Sequence, residues 1–393
     1  MNMSRLIIFL FWVLASIPAI ALIIYPLLMK ALSLLLAPLK TPVESNELPP
    51  VALLITAYNE EKVIGEKIKN ALALDYPANL LTVIVHTDGS KDGTDSIIAQ
   101  FNNPSIIHLK NPVNRGKTVS LNDAVAAADA PILVYSDANS MYHSDAIRKL
   151  VRWFQHDKVG CVCGRLKIFH RGAAKAQGES RYWDWDTRLK ICEGKSGRLL
   201  GANGAIFALR RWLAVYLPGE QSNDMVLPIV ARLRGFKTVY DPEAIAEEEA
   251  AETAGGEFRR KSRIIARGLS GVVFSILFAF RDARACQSPF FMRLFVLLQL
   301  IAKKLCRYLA FPAIFFMMVL GAFLPIGFSF WIAVALWGAV GFSAAAAILQ
   351  MLLKKKSPRL LDASYLFAVI AASFAGLYRF LLRRNLSRWE SMR

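Results

Sequence analysis

The chain has 393 residues, 55% of them hydrophobic, and a mean hydropathy of +0.36, more apolar than a soluble domain of this size requires. Lys and Arg total 48 against 30 Asp and Glu, a net charge of +18. Much of the excess flanks apolar runs, at Lys303, Lys304 and Arg307, at 354–356, and at Arg383 and Arg384. That is the pattern of charges that meet anionic headgroups, and with no groove-binding motif it argues for membrane lipid and against nucleic acid. Five cysteines, Cys161, Cys163, Cys192, Cys286 and Cys306, form no C-x-x-C pair, which argues against a disulfide framework and a zinc site.

The first element is an apolar run, 6–29, without Asp, Glu, Lys or Arg. It is long enough to cross a bilayer as a helix, and too long, with too weak a basic head, for a cleaved signal peptide. An uncleaved anchor is expected over 1–44, with Lys30 and Lys40 on its cytoplasmic side. From about 51 the texture changes. Apolar runs at 51–56, 82–87, 105–109 and 131–136 are each followed by a polar turn and a helical pattern. Strands alternating with helices imply an α/β domain, 45–268, with a largely parallel sheet. Ligands of such sheets bind at the carboxyl ends of the strands. Beyond 268 the chain is apolar again. Segments 269–280 and 289–302 read as interfacial helices within a region 269–303. In 304–393, the uncharged run 308–353 suffices for two spans turning near Pro325 and Gly327, and 363–382 is one more. The basic loop 354–359 and the basic tail 383–393 would then lie on opposite sides of the membrane, against the positive-inside bias.

The polar motifs fall at the strand ends. Thr56-Ala-Tyr-Asn-Glu-Glu61 follows the first strand, and His86-Thr-Asp-Gly-Ser-Lys-Asp-Gly-Thr94 the second. The second motif, with Asp88, alone reads as an ordinary turn, but it also makes a tight loop whose carboxylate can accept hydrogen bonds from a base or ribose. Asn114-Arg-Gly-Lys-Thr118 opens a helix, where amides and a cation suit a phosphate; the P-loop spacing is absent. Ser136-Asp-Ala-Asn139 ends an apolar strand, and Asp137 and Asn139 can aim two hard oxygens at one divalent ion, Mg²⁺ or Mn²⁺, that would neutralise a diphosphate. Two further motifs are Gly201-Ala-Asn-Gly-Ala205 with Ser222-Asn-Asp-Met225, and Arg259-Arg-Lys-Ser-Arg263 with Ala266-Arg-Gly268. Asp224 alone would be a helix cap, and the basic cluster alone a headgroup patch.

As an ordered set over about 50–268, these motifs resemble the family-two glycosyltransferases, and more narrowly the membrane-integrated branch of cellulose, hyaluronan and poly-N-acetylglucosamine synthases. The resemblance implies a GT-A (Rossmann-like) fold and an inverting single displacement from a nucleotide-sugar donor, with a uridine base expected, to a glycan or lipid-linked acceptor. By it, Tyr58 and Glu60 contact the nucleoside and Asp88 the uracil edge. Lys117 lies near the diphosphate, joined on the donor side by Lys261 and Arg263. Asp137 matches the first metal-binding Asp of the family's Asp-x-Asp, and Asn139 replaces the second, which leaves the site one formal charge short. Asp224 matches the general base, with Asn223 where Glu is usual. Asn203, Gly204 and Trp183 are assigned to the acceptor. The family's Gln-x-x-Arg-Trp motif is missing; its positions read Lys261, Ile264 and Ile265, so the aromatic acceptor platform is absent and short or single additions are expected. Two alternatives accompany this reading: a transferase charging a polyprenyl phosphate, and a non-catalytic scaffold or transporter with an inactive domain. The apolar runs carry no buried acidic group of the kind an ion-coupled transporter uses. Retention of Asp88, Asp137 and Asp224 argues against inactivity. The expected setting is the bacterial inner membrane with the α/β domain cytoplasmic.

Overall fold

The apolar stretch near residue 6 is helical. In the computed structural model, which describes residues 3–45, 47–169, 177–249, 254–324, 326–353 and 358–382, α1 (Met3–Ala19) passes through a π-helical turn, Ile20–Ile24, into α2 (Tyr25–Leu35). An α/β unit follows: β1 (Val51–Ala57), α3 (Ile64–Leu72), β2 (Leu81–Asp88), α4 (Thr94–Ala99), β3 (Ile106–Asn111), α5 (Lys117–Ala126) and β4 (Ile132–Asp137). Each expected strand is present to within about a residue or two. β5 (Ser140–Tyr142), α6 (Ala146–Val151), β6 (Val159–Phe169), α7 (Gln177–Lys195), β7 (Ile206–Arg210), α8 (Asn223–Leu233) and β8 (Lys237–Glu249) complete it.

The eight strands form one sheet in the order β3-β2-β1-β4-β7-β6-β8-β5. β1 pairs in parallel with β2 and β4, and β2 with β3. β7 runs antiparallel between β4 and β6, and β5 antiparallel to β8. β6 pairs in parallel with β8, so the sheet is mixed, and its all-parallel half, β3-β2-β1-β4, lies where the alternation of strands and helices is regular. Every residue of β1 is buried because both faces are covered, as continuous apolar strands require. Val51, Leu53 and Ile55 join Ile64 and Ile68 of α3 and Ile147 and Leu150 of α6. Ala52 and Leu54 point the other way, to Leu121 of α5 and Val226 and Val230 of α8. After β3 the chain crosses to the far side of β1 to make β4, and this reversal opens a crevice at the carboxyl ends of β1 and β4.

The helices after β8 depart from the expected boundaries. α9 (Ala254–Arg281) is continuous through residue 268, and α11 (Phe290–Leu300), a π-helical turn (Ile301–Leu305) and α12 (Cys306–Gly321) are continuous through 303; a four-residue helix, α10 (Ala283–Cys286), separates them. The change from basic to apolar residues at those points is a change of surroundings along one helix. α13 (Phe328–Leu353) and α14 (Pro358–Leu381) follow. Among the described residues, four helical stretches, 3–35, 258–281, 290–321 and 328–345, are long and apolar enough to cross a membrane, in keeping with a membrane protein. α8 is buried nearly throughout because α9 and α11 cover the face that the sheet leaves, with Leu269, Val272, Val296 and Leu300 against Met225, Ile229 and Leu233. The basic segments 354–357 and 383–393, and Pro325, lie outside the described residues.

Candidate active site

The strand ends meet in register. Thr56 of β1 lies opposite both His86 and Asp137, and Ala57 opposite Thr87. The two loops beyond β1 and β2 are laced together. Asn59, in the left-handed region at φ 54°, accepts from the Lys91 amide at 2.8 Å, and its own amide donates to the Ser90 hydroxyl. The Glu60 amide donates to Thr94 Oγ1 at 2.9 Å, and Glu61 accepts from the Gly93 amide at 2.8 Å. Tyr58 and Glu60 thus sit on the crevice rim in a loop fixed by its neighbour.

Asp88, expected at the edge of a base, holds the loop beside it. It is fully buried, and accepts from Asn111 Nδ2 and the Arg115 amide at 3.0 Å and from the Gly116 amide at 2.7 Å. Its carboxylate folds the 112–116 loop back over β2 and so brings Lys117 to the crevice. Gly89, at φ +69°, is part of the same fold: a Cβ there would lie 2.5 Å from the Val113 carbonyl carbon. The Lys117 ammonium donates to Asp137 in a short ion pair. The cation expected at a diphosphate and the carboxylate expected at a metal therefore face the same point.

Asn139 does not stand alone beside Asp137. Its Nδ2 donates to Glu248 Oε1 at 2.9 Å, and the Ser140 hydroxyl to Glu248 Oε2 at 3.2 Å. Burial, then the charge of Asp137, push the Glu248 carboxyl upward, opposed by those hydrogen bonds and by Arg260. Behind β5, the buried Lys67 donates to the Ser140 carbonyl and lies 4.2 Å from the Tyr142 ring centroid. Burial pulls its pKa down to about 7, with Asp137 opposing. For a divalent ion the donors are hard oxygens, the Asp137 carboxylate and the Asn139 amide oxygen, which fit Mg²⁺ or Mn²⁺. Among the described residues no three His, Cys, Asp or Glu side chains converge as a metal cage, so the remaining ligands would come from substrate and water.

Asp224 stands at the start of α8, its Oδ1 accepting from Ser222 at 2.5 Å. The Ala202 amide donates to the Asp224 carbonyl at 2.8 Å. A Cβ on Gly204 would lie 3.4 Å from Asp224 Oδ2, so the glycine keeps that oxygen open. Asn203, next to it, faces inward: it is 8% exposed, donates to the Gly164 carbonyl at 2.7 Å and accepts from Lys190. Its side chain thus holds the loop at which the acceptor was expected. The Trp183 side chain lies outside the described residues. On α9, Arg267 donates to Thr118 Oγ1 at 2.6 Å and to the Gln221 carbonyl, which ties α9 to the start of α5. Lys261 and Arg263 lie half-buried on the same helix. At the positions of the missing aromatic motif, Ile264 is 48% exposed, whereas Ile265 packs on α14, 2.8 Å from where a Gly376 Cβ would stand. Glu248 and Lys67 are the residues that the motifs did not flag, and Ser222 stood in a motif without a role of its own. The run Glu247-Glu248-Glu249 at a sheet end is the signal that pointed to Glu248.

A family model described as "Glycosyltransferase like family 2" matches residues 49–266. The chain is 29% identical over 234 residues to poly-beta-1,6-N-acetyl-D-glucosamine synthase of Staphylococcus aureus, covering 57% of this chain and 56% of that one. It is 30% identical over 250 residues to the probable glycosyltransferase YdaM of Bacillus subtilis, covering 60% and 59%. It thus spans little more than half the length of the curated relatives it matches. Among solved structures, the mannosyltransferase PcManGT from Pyrobaculum calidifontis, in complex with GDP-Man and Mn²⁺, superposes with a TM-score of 0.69 at 20% identity, over 97% of this chain and 99% of that one, a likeness of fold. The α/β unit is a GT-A domain, and the chain belongs to glycosyltransferase-like family 2.

Proposed function

We propose that the protein is an inverting glycosyltransferase that moves a sugar from a nucleotide donor, a UDP-sugar, to a glycan or lipid-linked acceptor at the cytoplasmic face of a bacterial inner membrane, in the synthesis of an exopolysaccharide or cell-surface glycan. The observation that carries it is the placement of two carboxylates, Asp137 in an ion pair with Lys117 and Asp224 beside Gly204. On this reading Asp137 serves the leaving diphosphate. Asp224, across the Gly201–Ala205 loop, keeps one oxygen open toward an acceptor. Asp224 takes the proton of the attacking hydroxyl as the new bond forms at the anomeric carbon and the bond to the diphosphate breaks on the opposite face. Lys117 and the cations of α9 hold the departing phosphates. A divalent ion held by Asp137 and Asn139 would supply charge neutralisation to the leaving group. The Mn²⁺ of the similar PcManGT structure supports that reading.

The membrane setting rests on the apolar helices and on Lys30 and Lys40 beside the first of them. Short products are favoured over a long polymer because Ile264 and Ile265 offer no flat aromatic face to a sugar, and Arg267 is occupied by Thr118 and Gln221. A screen of nucleotide sugars against detergent-solubilised protein, reading released nucleoside diphosphate and product length, tests all of this. Turnover of one UDP-sugar to products of one or a few additions is expected. Absence of donor turnover with any nucleotide sugar and acceptor would favour a non-catalytic scaffold.

A further inference from the structure

The Asn139 side chain has one donor end and one acceptor end, and Glu248 decides which end points where. A carboxylate only accepts, so the 2.9 Å contact with Glu248 Oε1 fixes Nδ2 on that side. The amide oxygen then turns away from Glu248. The placement of Glu248 is itself determined: β5 pairs with β8 so that Ser140 lies opposite Glu248, and the Ser140 hydroxyl holds its second oxygen. Arg260 and Asp137 are the charged groups that act on Glu248 from α9 and β4.

We propose that Glu248 is a positioning residue of the metal site: it orients the Asn139 oxygen and returns the negative charge that position 139 lacks. The second carboxylate has in effect moved from residue 139 to its cross-strand neighbour, which leaves two acidic groups, Asp137 and Glu248, around the same point. An aspartate at 139 would then be a poor replacement. One of its oxygens would meet Glu248 Oε1 at hydrogen-bond distance with no proton between them, and like charges at such separation cannot both ionise freely. Asn139 with Glu248, and an aspartate at 139 with a neutral partner at 248, are the two compatible combinations.

This inference rests on the metal reading above, and one set of Mn²⁺ titrations tests both. The full chain in detergent is titrated with Mn²⁺ alone and with Mn²⁺ plus UDP, following free Mn²⁺ by electron paramagnetic resonance, with melting temperatures read in parallel. Wild type, Asp137→Ala, Glu248→Gln, Asn139→Asp and the double variant that joins Asn139→Asp with Glu248→Gln are compared. Glu248→Gln is expected to weaken Mn²⁺ by about ten- to a hundredfold, the usual loss when a partner of a ligand is changed. Asn139→Asp alone should bring no gain. The double variant should return to within about threefold of wild type, since hydrogen-bond pairing at 139 and 248 is restored with the charge exchanged. A structural stitch at the sheet edge would not show that rescue. Tighter binding by Asn139→Asp alone, with no loss in Glu248→Gln, would overturn the role given to Glu248 while leaving the metal site in place. No Mn²⁺ binding by wild type, or equal binding by Asp137→Ala, would overturn the metal reading and this inference with it.

Discussion

Replacing Asp224 by Asn separates its chemistry from its place in the fold. Ser222 donates to Asp224 Oδ1 at 2.5 Å, and an Asn side chain can still accept that bond through its carbonyl oxygen. The amide nitrogen then takes the place of Oδ2, in the space that Gly204 leaves open. The variant therefore keeps the loop and removes the oxygen that the proposed mechanism uses as base. A positioned general base contributes about a hundred- to ten-thousandfold, which is about 3–5 kcal/mol on the barrier at roughly 1.4 kcal/mol per decade. Donor release is measured at saturating UDP-sugar, with donor affinity taken from a binding titration. The expected result is a fall in kcat of that size, with donor Kd and melting temperature close to wild type. Turnover within about threefold of wild type would mean that another group takes the proton. A loss of donor affinity as large as the loss in kcat would mean that Asp224 acts through binding. Gly204→Ala is the companion variant: a methyl group 3.4 Å from Oδ2 should lower kcat/KM for the acceptor and leave donor affinity unchanged.

Excess EDTA should abolish turnover and added Mn²⁺ or Mg²⁺ restore it, whereas Asp137→Ala should stay inactive with metal present; full activity in EDTA would contradict the metal reading. Lys67 sets a pH dependence on stability. Its pKa of about 7 in the folded protein lies below the ordinary 10.5, so folding opposes its charge at low pH, and that penalty is relieved as pH rises from about 7 towards 10.5. Lys67→Met should therefore melt higher than wild type at pH 6, by up to a few kcal/mol in stability, with the gap closing by pH 9.5; a gap that does not depend on pH would refute the assignment. Gly268→Ala would bring a Cβ within 2.3–2.5 Å of the Tyr308 hydroxyl and ring. It should cost about 1–3 kcal/mol by overpacking, read as a lower melting temperature and recovered in part by Tyr308→Ala.

What the sequence disclosed, and what it hid, follows from the range of the interactions involved. β1, β2 and β4 were legible because strands buried on both faces are unbroken apolar runs with polar residues only at their ends. Asp137 could be assigned to the crevice because it ends a strand, and Lys117 because it opens a helix within a motif of the resemblance. The work of Asp88 was not legible, since two of its three partners are backbone amides of a loop, which carry no side-chain signature. Glu248 was hidden for another reason. It is 109 residues from Asn139 in sequence, and its place depends on the register of a three-residue strand. A triplet of glutamates otherwise reads as a solvated edge. The continuity of α9 and of α11–α12 was masked because a helix that leaves one environment for another changes composition without breaking.

The junction between the apolar helices and the GT-A domain bears on the Gly201–Ala205 loop in a way that sheet topology alone does not explain. Two carboxylates of α7 gather the charges there. Glu193 accepts from Tyr25 of α2 at 2.5 Å and from Lys303 at 2.6 Å. Asp186 pairs with Arg307 of α12 at 3.1 Å and with Lys190 at 2.9 Å. Lys190 in turn donates to Asn203, one residue before the glycine that faces Asp224. Buried ion pairs of this kind add little net stability, because desolvation offsets their attraction, but removing one partner leaves a charge uncompensated, commonly at a cost of about 3–5 kcal/mol. The pairs join α2, Lys303 and Arg307 to α7, and Lys190 joins α7 to Asn203 in the loop beside Asp224. The helices that would lie in lipid are thus linked through four side chains, Arg307, Asp186, Lys190 and Asn203, to the loop beside Asp224.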